Sequence, residues 1–135
     1  MDKRNYHVTI KGLFFDQHNK ILLTQESSGM WDLPGGRLEH GESLHEALSR
    51  ECIEEMGIQC GIIDDNPYWA WSAKDHDGLW KVVLCFRITL PHLNYQVSDE
   101  CIKLGFFDAE TFSKTNAIPQ IHPLLNYLQK IHSKG

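Results

Sequence analysis

Three carboxylates, Glu51, Glu54 and Glu55, crowd into the segment Arg50-Glu-Cys-Ile-Glu-Glu-Met56. On a helix with 3.6 residues per turn they fall within an arc of roughly 100°. Glu51 and Glu55 are an i,i+4 pair of like charges, which destabilises an isolated helix by roughly 0.2–0.5 kcal/mol. A solvated acidic face is the ordinary explanation of such a cluster. Here, however, the carboxylates flank the apolar stripe Leu44, Leu48, Cys52 and Met56, and they follow a Gly35-Gly36 loop. A hard divalent cation held by carboxylate oxygens accounts for both features.

The elements that must position these groups are legible beside them. Ser43 with Glu46 three residues on fits a capping box, which satisfies two orphan N–H groups of a first helical turn. Gly57 is a natural stop, because glycine accepts the left-handed conformation that ends a helix. The predicted helix, Leu44 to Met56, is about 20 Å long at 1.5 Å per residue. Its apolar stripe recurs every four residues and faces a core. Ahead of it, Pro34-Gly35-Gly36 forms a loop whose backbone can approach a ligand closely.

The stretch from Gly36 to Ile58 resembles the Nudix box, G-x5-E-x7-R-E-U-x-E-E-x-G-U, where U is a bulky apolar residue. Gly36, Glu42, Arg50, Glu51, Glu54, Glu55, Gly57 and Ile58 occupy its fixed positions. Cys52 stands where the family usually has Ile, Leu or Val, and cysteine is apolar enough to pack there. The box covers 23 of 135 residues, and agreement at so many spaced positions is far more specific than a lone glycine motif. Trp31-Asp-Leu-Pro-Gly-Gly36 also looks like the usual approach to the box.

The resemblance implies an α/β/α sandwich with a mixed central sheet, in one domain spanning residues 1–135. It implies hydrolysis of a nucleoside diphosphate linked to a further moiety, by water attack at phosphorus. Such chemistry needs neutralised phosphoryl oxygens, an activated water and in-line positioning, and Mg²⁺, with Mn²⁺ able to substitute, supplies the first two. By resemblance, Glu51, Glu54 and Glu55 are the metal ligands, joined by the Gly36 carbonyl. Arg50 orients a glutamate, and Glu42 braces the loop. The general base belongs to the box, at Glu51 or Glu54, or to the later loop Ser98-Asp-Glu-Cys-Ile-Lys-Leu-Gly-Phe-Phe107, where Glu100 is the candidate. The short chain with its early box looks like the minimal, MutT-like members, without an extra N-terminal region. A nucleoside triphosphate or nucleotide sugar is favoured as substrate over ADP-ribose or a dinucleoside polyphosphate. A nucleotide-sensing module without turnover is the alternative, but such modules usually lack box carboxylates, and none is lost here. Arg37, next to the glycines, reads either as a contact to a phosphate or as a solvent-exposed loop arginine. Trp69 and Trp71 are the candidates for stacking on a base, whereas Trp80, in phase with Val82 and Leu84, reads as core.

Composition sets bounds on the rest. The net charge of −5 argues against stable nucleic-acid binding through phosphate neutralisation. No apolar run approaches the roughly 20 residues of a membrane span. The four cysteines show no C-x-x-C pattern, and with no signal peptide they read as free thiols in a reducing, cytoplasmic compartment. The eight histidines are scattered; His45-Glu46 has no second histidine four residues on, and His40 and His45 read as surface residues. Monomer and homodimer are both compatible with the sequence.

Along the chain, residues 1–4 read as a loose terminus. Tyr6–Phe15 is a predicted strand with Val8, Ile10 and Phe14 on one face, returning through Asp16–Lys20 into a second strand, Ile21–Gln25, as a hairpin. After the box come a short strand at Ile58–Ile63, another at Tyr68–Ser72, and a turn at Asp75–Gly78. Trp80–Leu90 is the clearest strand, by alternation. A strand at Ile102–Phe107, a helical turn at Asp108–Phe112 and a helix at Leu124–His132 complete the pattern. In that last helix Leu124, Leu125, Leu128 and Ile131 are expected to face inward.

Overall fold

The structure is a computed structural model that describes residues 5–75 and 77–133. The expected loose terminus at 1–4, and His76 in the expected turn, lie outside the described residues. Among the described residues the strands are β1 (His7–Leu13), β2 (Ile21–Gln25), β3 (Trp31–Asp32), β4 (Gly35–Arg37), β5 (Trp69–Lys74), β6 (Trp80–Arg87) and β7 (Lys103–Phe107). Helix α1 (Leu44–Met56) lies between β4 and β5, and α2 (His122–Ser133) closes the chain after two short 3₁₀ turns.

The strands divide into two sheets. One has the order β4-β1-β6-β5 and is mixed, because β1 runs parallel to β6 and the other pairs are antiparallel. The other is antiparallel, with the order β3-β2-β7. Alternation along each strand sends neighbouring side chains to opposite faces. Ile10, Leu22 and Phe86 join Ala47, Leu48, Cys52 and Met56 of α1 in one core. Leu13, Ile21, Leu23 and Cys85 join Leu124, Leu125 and Leu128 of α2 in the other. A helix therefore covers each face of the β layer, as the α/β/α reading anticipates.

Helix α1 forms where its signals put it. The amide of Glu46 donates to Ser43 Oγ at 3.1 Å, and the amide of Ser43 donates to Glu46 Oε1 at 2.9 Å. Gly57, at φ 69°, ends the helix with its N–H on the Ile53 carbonyl. Leu48, Cys52 and Met56 are wholly buried, and burying each large apolar side chain contributes about 1.5–3 kcal/mol.

Several expectations need correction. The predicted hairpin is only a junction: Phe14 and Phe15 meet Leu22 and Ile21, and then β1 and β2 part into different sheets. Ile58–Ile63 is not a strand, since only Ile63 bridges to Ile88; Ile58 and Cys60 are fixed by burial instead. The third and fourth strands were hidden in the approach to the box. Trp80 is 42% exposed, because its sheet face at that end is not core, and it leans on Tyr6 with ring centroids 6.4 Å apart. Ile131, expected inward, is exposed in the last turn of α2. That helix starts two residues early, at His122, with Pro123 in its first turn, where the missing N–H has no helical partner to lose. The expected turn at Asp108–Phe112 is realised as a 3₁₀ turn at Phe112–Lys114. His45 is half-buried rather than a plain surface residue, and its ring stands edge-on to Phe86.

Candidate active site

Helix α1 brings Glu51 and Glu55 beneath the short strand β4, and the loop before β7 brings Glu100 to them. Their carboxylate oxygens lie within 4.8 Å of one another. Glu55 is 4% exposed. Burial, reinforced by Glu100, Asp32 and Glu51, pushes its carboxyl up to about 9 against the pull of Lys11. The Gly35 N–H points at both Glu55 oxygens, at 3.3 and 3.4 Å. This is a hard, oxygen-only donor set, and it fits a divalent cation such as Mg²⁺ or Mn²⁺.

The two glycines serve different ends. Gly35 has φ +129°, and a Cβ there would lie 2.1 Å from the Ile10 carbonyl oxygen. Neither the backbone conformation nor the space admits a side chain. At Gly36 the conflict is with the site: a Cβ would come within 2.6–2.7 Å of the Glu51 carboxyl atoms. Only a bare backbone lets Glu51 lie across β4.

Arg50 ties the arrangement together. Its Nε and Nη2 donate to the two oxygens of Glu42 at 2.6 and 3.0 Å. Its Nη1 donates to Glu51 at 3.0 Å and to Glu54 at 3.2 Å, and Nη2 reaches the Arg37 carbonyl at 3.1 Å. The hydrogen bond from Arg50 holds the Glu42 carboxyl below the usual carboxylate range, and Glu42 in turn keeps the guanidinium fully charged. Geometry of this kind sets the direction in which Glu51 points. Glu54 is exposed and stands outside the group formed by Glu51, Glu55 and Glu100.

Sequence reasoning missed Lys11 and Asp32. Lys11 is 5% exposed, and its ammonium donates to Asp32 Oδ2 at 3.0 Å and to the carbonyls of Leu33 and Gly35 at 3.1 Å each. Burial opposes that charge, but Asp32, Glu55 and Glu51 outweigh it and hold the Lys11 pKa above its ordinary value. All three ammonium donors are used, so Lys11 fixes the backbone that presents Gly35 to Glu55. The available signal was a lysine interrupting the apolar run Val8 to Leu13.

The expected stacking residues are placed otherwise. Trp69 lies flat on Tyr127, with centroids 4.5 Å apart and planes 10° from parallel, and packs against Trp71 at 5.4 Å. The Trp71 indole N–H donates to the Gln120 carbonyl at 2.8 Å. Both rings border the α2 core. In this arrangement Trp69 braces β5 against α2 through Tyr127, and Trp71 braces it against the preceding 3₁₀ turn through the Gln120 carbonyl. Arg37 is exposed at the end of β4.

A small recess of about 190 Å³ lies between Thr24, Glu26, Asp32, Gly35, Glu55 and Glu100. It shares Glu26 with a groove of about 610 Å³, walled by Met30, Ile118 and Pro119 and floored by Lys81.

The sequence profile of the NUDIX domain matches residues 5–127. This chain belongs to the NUDIX family. Among its relatives, the 8-oxo-dGTP diphosphatase of Proteus vulgaris is 39% identical over 72 residues, which are 47% of this chain and 63% of the relative. The 8-oxo-dGDP phosphatase NUDT18 of Homo sapiens is 39% identical over 62 residues, 43% of this chain and 19% of the relative. The chain thus spans less than two thirds of the length of both. The MutT protein from Methanosarcina mazei Go1 superposes with a TM-score of 0.74 at 21% identity, covering 94% of this chain and 95% of that one, a likeness of fold. The α/β architecture with helices on both faces is accordingly the Nudix fold. No helix among the described residues is long and apolar enough to cross a membrane, and the four cysteines are free and buried.

Proposed function

We propose that this Nudix domain, spanning residues 1–135, is a divalent-cation-dependent hydrolase of nucleoside tri- or diphosphates, cutting within the diphosphate linkage. The observation that carries the reading is the convergence of Glu51, Glu55 and Glu100 beside the bare backbone of Gly36, at the end of an apolar-walled groove. The names of the Proteus vulgaris and human relatives support a nucleotide with a purine base.

Glu51 and Glu55 would hold the cation, with Glu54 at the rim and the Gly36 carbonyl alongside. When bound there, Mg²⁺, or Mn²⁺ in its place, would supply charge neutralisation on the phosphoryl oxygens and lower the pKa of the attacking water. Arg50 is a positioning residue: it orients Glu51 while its other side is clamped by Glu42. Glu100 is exposed beside the two helix carboxylates, and it accepts the proton of the attacking water. Arg37 meets the substrate phosphates. Retention of every box carboxylate favours turnover over a sensing module without activity.

The test is product analysis with a panel of nucleoside tri- and diphosphates, nucleotide sugars, ADP-ribose and dinucleoside polyphosphates, in Mg²⁺ and in EDTA. Mg²⁺-dependent cleavage of a nucleoside tri- or diphosphate that Glu51→Gln and Glu55→Gln lose is the expected result. Full turnover in EDTA, or preference for a non-nucleoside diphosphate, would refute the reading.

A further inference from the structure

The groove beside the carboxylates contains a charge that the proposed hydrolysis does not use. Lys81, on β6, is half-buried on the groove floor. The carboxylates of Glu26 and Asp75 line the same groove. Burial depresses its pKa, and the charges of Lys11 and Arg37 add to that, while Asp32 and Asp75 oppose it. A partly desolvated ammonium gains from a ligand oxygen that accepts its hydrogen bonds.

Register fixes where along the groove that ligand part lies. Lys11 pairs with Cys85, and His7 with Lys81, in the parallel β1–β6 ladder. Paired residues share a face, so Lys81 opens on the same side as Lys11 and the Gly35 end of the site. Four residues separate the two rows, or roughly 13 Å along the strand. Phosphates held at Glu51, Glu55 and Glu100 therefore leave Lys81 to a more distant part of the molecule. There the walls are Met30, Ile118 and Pro119, apolar surfaces suited to the faces of a flat ring. Glu26, Ser28, Lys74, Asp75 and Gln120 complete the lining, and apolar walls with a few polar groups among them are the pattern of a site for a ring with a polar edge.

An ammonium has three donors and no acceptor. It matches a keto oxygen and is mismatched to an exocyclic amine. Guanine presents O6 and N7 as acceptors on one edge, whereas adenine places an N6 amine beside N7. Resting on the nucleotide reading above, we infer that Lys81 is a specificity-determining residue, donating to a keto oxygen of the base and selecting guanine-type over adenine-type nucleotides.

The experiment compares wild type, Lys81→Met and Lys81→Arg. It measures kcat/KM for dGTP and dATP in Mg²⁺, and binding of dGMP and dAMP by calorimetry. Wild type should prefer the guanine member of each pair. In Lys81→Met that preference should shrink roughly tenfold to a hundredfold, the discrimination ordinarily carried by a directed contact to a base. Lys81→Arg, which keeps donors at the position, should restore part of it. Loss of guanine and adenine nucleotides in equal proportion would overturn the inference, as a contact to phosphate predicts. So would a guanine preference that survives in Lys81→Met, or none in wild type. The two readings fail separately. Lys81-dependent discrimination between dGMP and dAMP without turnover would sink hydrolysis and leave Lys81 its role. Turnover without such discrimination would do the reverse.

Discussion

Replacing Lys11 with methionine tests how the metal-facing loop is held. Methionine nearly matches the length of the lysine stem, so packing is largely kept while the charge and three hydrogen bonds go. Asp32, whose side chain is 15% exposed, then loses its ion-pair partner and retains Oδ1 on the Leu33 amide. The Leu33 and Gly35 carbonyls lose a donor in a buried place. Breaking a buried pair by removing one partner destabilises by roughly 3–5 kcal/mol. Partial exposure of Asp32 puts the expectation at the lower end, about 3 kcal/mol, against a total of roughly 5–15 kcal/mol for a domain. Urea unfolding at pH 7 in EDTA measures it, as a lower midpoint with an unchanged slope. The double variant Lys11→Met/Asp32→Leu should recover most of the loss, because an apolar pair of similar volume leaves no charge stranded. Stability within about 0.5 kcal/mol of wild type, the range of ordinary surface changes, would refute the claim that Lys11 anchors this loop. A double variant less stable than the single one would refute the stranded-charge argument.

In metal-free buffer, Glu55 should make the protein less stable as pH rises. Its folded pKa, about 9, lies above the unfolded 4.5, so its contribution is fully present below about 4.5 and is lost progressively up to about 9. The corresponding slope should vanish in Glu55→Gln, and its persistence in thermal melts of that variant would argue against the assignment. Mg²⁺ binding at pH 7 should release a proton from the same group, detectable by calorimetry in buffers of different ionisation enthalpy. Gly36→Ala should abolish Mg²⁺ affinity with little loss of fold, because the new methyl meets the Glu51 carboxylate. Gly35→Ala should instead unfold the domain, because its methyl meets the Ile10 carbonyl; circular dichroism and metal titration separate the two, and equal effects would contradict the geometry. Glu100→Gln should lower kcat by roughly 10²–10⁴-fold with KM nearly unchanged, and a kcat within a factor of about two would return the base to Glu51 or Glu54.

What the sequence determined by itself is local. The capping box, the glycine stop and the four-residue stripe of α1 depend on neighbours within one or two turns, so Ser43, Glu46, Gly57, Leu48, Cys52 and Met56 could be read without a fold. Spacing also brought Glu51, Glu54 and Glu55 onto one arc, and the box resemblance supplied Gly36, Arg50 and Glu42. Tertiary structure decided which carboxylates meet. Glu55 turned inward and Glu54 outward because β4 covers only one side of the helix, and Glu100 joined from 45 residues beyond Glu55 through the loop before β7. Trp69 and Trp71 became braces because α2 and the 3₁₀ turn before it, distant in sequence, present Tyr127 and the Gln120 carbonyl to them. Trp80 and Ile131 have the periodicity of core residues, but both are exposed in the folded chain. The Lys11 ammonium is buried because Asp32 and two carbonyls of the β3–β4 segment surround it. Periodicity records which residues share a face, whereas what stands against that face is fixed only when distant segments pack.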